Sequence, residues 1–137
     1  MGRIIAIDYG MKRTGLAVTD SLRMIANGLD TIETPKLLNF LENYFKIEKV
    51  DIIVLGLPKR LNNTDTHATQ MVLDFKKELE IKFKEHKIEM LDERFTSKIA
   101  FNTMLAGGLK KSDRRDKGLI DKISATIILQ DYLRTIA

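Results

Sequence analysis

Acidic residues lie at the ends of predicted strands and at the start of a predicted helix, where a side chain can leave the hydrophobic core. Asp8 follows one apolar stretch, and Asp92 and Glu93 follow another. Asp121 stands near the start of an apolar segment. Hard divalent cations such as Mg²⁺ bind oxygen ligands of this kind. Two such ions ~3.5–4 Å apart can activate a water and stabilise the leaving oxygen of a phosphodiester. The set therefore suits metal-assisted hydrolysis.

Each acidic segment also has a simpler structural interpretation. Asp8 could cap a hairpin turn, and the segment 92–96 could cap a helix. Arg94 could hold a phosphate or pair with Asp92. Asp121 is also a normal first-turn residue of a helix. Three carboxylates at element ends, together with a basic stretch, nevertheless indicate metal-assisted phosphodiester chemistry more strongly than any one of them does alone.

The hydrophobic pattern predicts one α/β domain over residues 1–137. Strands are predicted at residues 3–8, 14–20, 28–34, 50–57 and 87–91, and helices at 36–46, 68–83, 97–106 and 118–134. Gly10 and Gly15 are expected to bracket the first turn, whose short length makes the first two strands antiparallel. The order describes a mixed five-stranded sheet flanked by helices, in which a three-strand antiparallel meander is joined by two parallel strands.

Composition narrows the possible partners. The 137 residues contain no cysteine, so thiolate metal sites are excluded, and the two histidines lack a partner at ligand spacing. No apolar run approaches the ~20 residues that span a bilayer. The N-terminus lacks the layout of a secretory signal, so a cytoplasmic location is expected. The net charge of +4 suits an anionic partner such as nucleic acid, although the basic stretch at residues 110–122 could also be a solvated loop.

The chain resembles the YqgF (RuvX) family of RNase H-like proteins, described both as Holliday junction resolvases and as nucleases that mature the 5′ end of 16S ribosomal RNA. Four blocks along nearly the whole chain carry the resemblance. They are residues 8–20 (the pattern Asp-x-Gly-x-x-Arg-x-Gly-x-Ala), 56–58 (Gly-Leu-Pro), 92–96 (Asp-Glu-Arg-Phe-Thr) and 121–129, where Asp121 precedes Ser124-Ala125 and Ile128-Leu129.

The resemblance implies a catalytic triad of Asp8, Glu93 and Asp121 that binds Mg²⁺ or Mn²⁺, with Asp8 bridging the metals. It also implies a set of basic residues that grip phosphates: Lys12, Arg13, Arg94, Lys110, Lys111, Arg114, Arg115 and Lys117. In better-known RNase H-like resolvases the second acid ends the fourth strand, where this chain has Gly56. Asp92 therefore remains an alternative to Glu93.

Two departures from the family pattern are small. Asn63 stands where a glycine is common, and asparagine tolerates left-handed backbone better than most residues do. Ser124 replaces the first residue of an alanine pair. Like alanine, it is small enough to let the last predicted helix lie close to the sheet.

Three functions are compatible with these residues. The first is cleavage of structured RNA, foremost the precursor of 16S rRNA, with ribosomal particles as possible partners. The second is resolution of four-way DNA junctions, which needs two active sites and hence a symmetric dimer, so that a monomer would favour RNA. The third is a non-catalytic nucleic-acid-binding module. An actin-like ATPase, which also begins with Asp-x-Gly, is disfavoured because the chain is too short for two lobes and lacks the second phosphate loop.

The basic stretch generates one prediction. Replacing Lys110, Lys111, Arg114 and Arg115 with alanine should weaken nucleic-acid binding, because these cations would release counterions from phosphates. The slope of log affinity against log salt should flatten by up to ~0.9 for each phosphate that the variant no longer neutralises. Binding of a labelled RNA measured over a salt series checks this, and an unchanged slope would make the stretch ordinary surface.

Overall fold

The computed structural model describes residues 2–58, 67–93 and 117–136. These residues form five strands and three helices, numbered in chain order. The strands are β1 (Arg3–Asp8), β2 (Arg13–Thr19), β3 (Ala26–Glu33), β4 (Val50–Leu57) and β5 (Lys87–Asp92). The helices are α1 (Leu37–Ile47), preceded by a 3-10 turn at Thr34–Lys36, α2 (His67–Lys82) and α3 (Lys117–Ile136).

The strands form one sheet in the order β3-β2-β1-β4-β5. Strands β1, β2 and β3 make the antiparallel meander, whereas β4 is parallel to β1 and β5 is parallel to β4. The predicted mixed sheet of five strands is therefore confirmed. In this register Asp8 lies opposite Gly15, and Gly56 lies opposite Leu91.

The two faces of the sheet are covered differently. Residues of one parity, including Ile5, Ile7 and Leu55, pack with α1 and α2 in a cluster rich in large aliphatic and aromatic side chains. Residues of the other parity, including Ile4 and Ala6, pack with α3 in a smaller cluster. Alternation of side chains along each strand assigns every strand residue to one of these two faces.

Helix α3 lies unusually close to the sheet at β2. A Cβ atom built on Gly15 would overlap the backbone carbonyl group of Asp121. No described glycine has a positive φ, so Gly15 is required for this close approach and not for its backbone conformation. Ser124 and Ala125, one turn along α3, are buried against the sheet. The expectation that small residues let this helix approach the sheet is confirmed.

The predicted bounds differ from the observed ones by one or two residues at most described ends. The largest differences are of two residues: α3 ends at Ile136 instead of residue 134, and β3 begins at Ala26 instead of residue 28. The preceding turn ends early because Oδ1 of Asp20 accepts hydrogen bonds from the backbone N–H groups of Met24 and Ile25, at 2.8 and 2.9 Å. Gly15 does not bracket the first turn as predicted, because it lies within β2.

The predicted helix at residues 97–106 lies outside the described residues. None of the three helices in the described part of the chain is long and apolar enough to cross a membrane.

The close approach of α3 predicts a position-specific cost of a methyl group. Gly15→Ala should lower the free energy of unfolding by about 1–3 kcal/mol, since the new Cβ meets backbone that cannot move without displacing α3. Urea unfolding followed by circular dichroism measures this. Gly28→Ala is the matched control, because its Cβ would lie 2.7 Å from Cγ of Lys122, a side chain that can move aside. Equal costs for the two variants would contradict the assigned role of Gly15.

Candidate active site

Strand alternation brings the acidic ends of the elements to one face of the sheet. Ile4 and Ala6 of β1 pack under α3, so Asp8, two residues further, belongs to the same face. Its register partner Gly15 lies against α3. Because Ile7 pairs with Leu55 in the parallel register, Asp8 comes beside Gly56 on the neighbouring strand. Neighbouring strands are ~4.8 Å apart, so a carboxylate held at Gly56 lies close to Asp8.

Glu93 occupies the space that the missing side chain of Gly56 leaves open. A Cβ atom on Gly56 would lie 2.9 Å from Oε1 of Glu93 and 2.7 Å from Cδ1 of Ile128 in α3. Glu93 is only 7% exposed although it follows a strand at the sheet edge. The glycine near the end of β4 thus lets an acid that follows β5 reach the position beside Asp8.

The same alternation separates Glu93 from its neighbour. Asp92 shares the parity of Ile88 and Met90, which pack on the α1 and α2 side of the sheet. Asp92 is thereby placed at the same end of the sheet but on the face opposite α3.

Asp121 reaches this face through the backbone contact of α3 with Gly15. Its carboxylate Oδ2 accepts a hydrogen bond from Nε of Arg13 at 2.9 Å. The Asp121 side chain is 24% exposed and that of Arg13 39% exposed, so this ion pair lies at the rim of the site and not in the core.

A ring of hydrogen bonds holds the loop that follows Asp8. The backbone N–H of Gly10 donates to Oγ1 of Thr14 at 3.5 Å, and Oγ1 of Thr34 donates to the Gly10 carbonyl at 2.6 Å. The two threonine hydroxyls are 3.0 Å apart, and since Thr34 already donates to a carbonyl, Thr14 is the donor between them. The N–H of Thr34 donates to the carbonyl of Lys12. The backbone between Asp8 and Arg13 is therefore pinned to the end of β3.

Tyr9 anchors the same loop to α2. Its ring stacks on that of Phe75 with centroids 4.3 Å apart and an interplanar angle of 21°. Burial, followed by the negative charge of Glu78, raises the pKa of the Tyr9 phenol above its usual value. The phenol therefore stays neutral at physiological pH and acts in packing, not as an anion beside Asp8.

The carboxylates have the chemistry of Mg²⁺ or Mn²⁺ ligands, but their side chains do not converge on one point. Within residues 2–58, 67–93 and 117–136, no three acidic or histidine side chains form a group that could hold one metal ion. The Asp121 carboxylate is turned to Arg13 instead. The donor types fit a hard divalent cation, and in this arrangement the described carboxylates form no three-ligand group.

The structure describes only some of the basic residues that the sequence analysis predicted to bind phosphates. Lys12 is exposed in the loop after Asp8, and Arg13 opens β2. Lys117 begins α3, but its side chain lies outside the described part of the chain. The remaining members of the predicted set lie outside the described residues: Arg94, Lys110, Lys111, Arg114 and Arg115.

Sequence reasoning missed three features of the site. It did not anticipate that Gly56 makes room for Glu93, that Thr14 and Thr34 close a hydrogen-bond ring, or that Arg13 pairs with Asp121. The parity of Leu91 and Glu93 relative to Gly56 could have indicated the first. The other two connect residues 20 and 108 positions apart, for which local spacing carries no signal.

Comparison with known proteins places the chain in a family. A family model described as "RuvX: Holliday junction resolvase" matches residues 2–135. A protein of Christiangramia forsetii named "Putative pre-16S rRNA nuclease" is 56% identical over 133 residues, covering 97% of this chain and 98% of the relative. A protein of Bacteroides fragilis with the same name is 52% identical over 135 residues, covering 98% of each chain.

Solved structures share the fold at low sequence identity. The RuvC protein of T. thermophilus, in complex with a Holliday junction substrate, matches with a TM-score of 0.60 and 13% identity, covering 98% of this chain and 95% of that one. The Fowlpox virus resolvase, in complex with Holliday junction DNA, matches with a TM-score of 0.57 and 12% identity, covering 98% of both chains. These likenesses show that the fold is RNase H-like, as predicted. The family match over residues 2–135 and the relatives at 52–56% identity show that the chain belongs to the RuvX family of RNase H-like nucleases.

Proposed function

We propose that this protein is a divalent-metal-dependent nuclease that processes the 5′ end of precursor 16S rRNA in the cytoplasm, acting on ribosomal precursor particles. The observation that carries the choice of substrate is the group of relatives that are 50–56% identical over 97–98% of the chain and are all named for this activity. Identity of this extent over a whole domain makes a shared substrate class the simplest inference.

The ligands proposed for Mg²⁺ or Mn²⁺ are Asp8, Glu93 and Asp121. The supporting observations are that β1 ends at Asp8, that Glu93 lies over the adjacent Gly56, and that the Asp121 backbone contacts Gly15, the register partner of Asp8. A bound divalent cation of this kind supplies activation of a water and stabilisation of the leaving oxygen in phosphodiester hydrolysis. Glu93 is favoured over Asp92 because strand alternation places Asp92 on the opposite face.

The protein's own residues orient the substrate in this proposal. Lys12 and Arg13 carry positive charge in and beside the loop pinned by Thr14 and Thr34, so their cationic groups are presented at the acidic end of the sheet. Phosphates bound by them would lie next to Asp8, and the nearby carboxylates would repel a phosphodiester unless a cation lay between the two. Hydrolysis breaks one P–O bond, and the attacking water supplies the new oxygen on phosphorus.

Holliday junction resolution is a second candidate because the matching family model carries that description. Cleavage of a four-way junction at two symmetric strands needs two active sites, and hence a symmetric dimer. A single RNA cleavage needs only one site. We propose a monomer or a weak homodimer, and the solution mass under assay conditions separates the two substrate assignments.

The metal-site proposal predicts that Asp8→Asn abolishes cleavage. Loss of a carboxylate that would hold the cation would remove stabilisation worth several kcal/mol, which corresponds to a rate at least about 100-fold lower. Wild type and variant are compared on labelled precursor 16S rRNA and on a four-way DNA junction, with and without Mn²⁺. Cleavage should require metal, and RNA binding by the variant should be nearly intact.

Asp74→Asn is the matched control, because Asp74 is an exposed carboxylate on α2. Its side chain accepts a hydrogen bond from the side-chain amide of Gln70. This variant should cleave as wild type does. Equal cleavage by Asp8→Asn and wild type would rule out the metal-site assignment, and faster cleavage of the junction than of the RNA would favour the second candidate.

Gly56→Ala tests the role of Glu93. A methyl group 2.9 Å from Oε1 of Glu93 displaces the carboxylate from its place beside Asp8. Displacing a ligand in this way should weaken Mn²⁺ binding by about tenfold or more. Electron paramagnetic resonance of free Mn²⁺ measures the affinity, and circular dichroism checks that the variant is folded. Unchanged affinity in a folded variant would exclude Glu93 as a ligand.

A further inference from the structure

The ion pair between Arg13 and Asp121 competes with the function proposed for Asp121. Nε of Arg13 donates to Oδ2 of Asp121 at 2.9 Å, so this oxygen serves a guanidinium. A metal ion and a guanidinium would use the same carboxylate, and the described carboxylates do not form a three-ligand group in this arrangement. The two cations therefore compete for one carboxylate, and a metal can use both of its oxygens only when Arg13 has another partner.

A phosphate is a suitable alternative partner for Arg13. The guanidinium binds carboxylates and phosphates with the same planar set of N–H donors. Its two Nη groups make no hydrogen bond to any residue in the described part of the chain, and the side chain is 39% exposed at the rim of the site. Glu33 is the register partner of Arg13 on β3, but it forms its ion pair with Lys36, whose Nζ lies 3.6 Å from Oε2 of Glu33. A phosphodiester at this rim can therefore reach Arg13.

The backbone around Arg13 is fixed, so a change of partner needs side-chain torsions alone. Arg13 is the first residue of β2, and the loop before it is held by the hydrogen bonds of Thr34 to Gly10 and Lys12. Rotamer changes of exposed side chains take picoseconds to nanoseconds, which is fast compared with catalysis. The exchange therefore adds no slow conformational step.

We propose that Arg13 is a positioning residue that changes partners. In the absence of nucleic acid it holds the Asp121 carboxylate, and when a phosphodiester binds it moves to the phosphate and releases Asp121 to a divalent cation. This proposal rests on the proposed function. Its consequence is that nucleic acid and metal bind cooperatively, each raising the affinity of the other by the same factor. A metal site that is complete only with substrate present limits hydrolysis to bound nucleic acid.

Arg13→Gln and Lys12→Gln form a matched pair for the test. Each removes one positive charge from the same region, but only Arg13 contacts Asp121. Mn²⁺ affinity is measured by electron paramagnetic resonance, alone and with a saturating hairpin RNA that has phosphorothioate linkages and is checked by gel to remain intact. Without RNA, Arg13→Gln should bind Mn²⁺ at least about fivefold more tightly than wild type, and Lys12→Gln should show a smaller change.

The hairpin should raise the Mn²⁺ affinity of wild type by a larger factor than that of Arg13→Gln. If Arg13→Gln binds Mn²⁺ no more tightly than Lys12→Gln without RNA, or gains as much from the hairpin as wild type does, the proposal is overturned. Arg13→Lys, which keeps the charge, should restore part of the wild-type behaviour. Circular dichroism confirms that each variant is folded.

A double-mutant cycle shows whether Arg13 acts through Asp121. In an Asp121→Asn background, Arg13→Gln should no longer increase Mn²⁺ affinity, whereas a purely long-range charge effect would persist. A persistent increase overturns the proposal. If Asp8→Asn binds Mn²⁺ as wild type does, the metal site itself is wrong and both proposals fail. If Asp8 is required but the Arg13 cycle shows no coupling, only the exchange is wrong.

Discussion

The backbone contact between α3 and β2 is the constraint on which the site depends. With no side chain on Gly15, the carbonyl of Asp121 can lie directly against the strand. One turn later Ser124 and Ala125 are buried, and a further turn along Ile128 reaches Gly56. A helix held at an ordinary distance by larger side chains would carry Asp121 away from Asp8. The same packing that completes the smaller core therefore sets the spacing of the acidic residues.

The two faces of the sheet have different roles: one contributes most of the stability, and the other sets the geometry of the site. The face toward α1 and α2 buries large side chains such as Leu37, Leu41 and Phe75, and burial of apolar area is the dominant favourable contribution to folding. The face toward α3 has a smaller core, in which three of the buried residues are alanines: Ala6, Ala17 and Ala125. Small groups bring backbones close and position polar ends accurately, while the opposite face contributes most of the apolar burial.

Electrostatics accounts for the cations proposed at the acidic end of the sheet. Carboxylates gathered at one end of a sheet repel one another, and removing a charge from water without a partner costs several kcal/mol. Arg13 supplies one counter-charge at the rim, where solvent screening makes an ion pair weak enough to exchange. In the proposed function, a divalent cation and the phosphates of a nucleic acid would supply further complementary charge, which would link metal binding to substrate binding.

Much of the fold could be predicted from local patterns. Apolar alternation predicted where the strands lie, and the short turn after Asp8 predicted that the first two strands are antiparallel. The helical spacing of residues such as Leu41 and Leu79 predicted the described helices. Bounds shifted where side chains bind the backbone, as Asp20 does before β3. Such hydrogen bonds depend on rotamers that local spacing does not encode.

Local sequence is enough to show that Asp8, Glu93 and Asp121 stand at element ends, because strand ends and helix starts are recognised from nearby residues. How these ends meet depends on the three-dimensional packing. The register of β4 with β5 set Gly56 beside Leu91 and left room for Glu93, and parity separated Glu93 from Asp92. Arg13 and Asp121, 108 positions apart, became partners only through the packing of α3 on β2. Long-range register and packing depend on the whole chain at once, which is why local sequence could propose the ligands but not their arrangement.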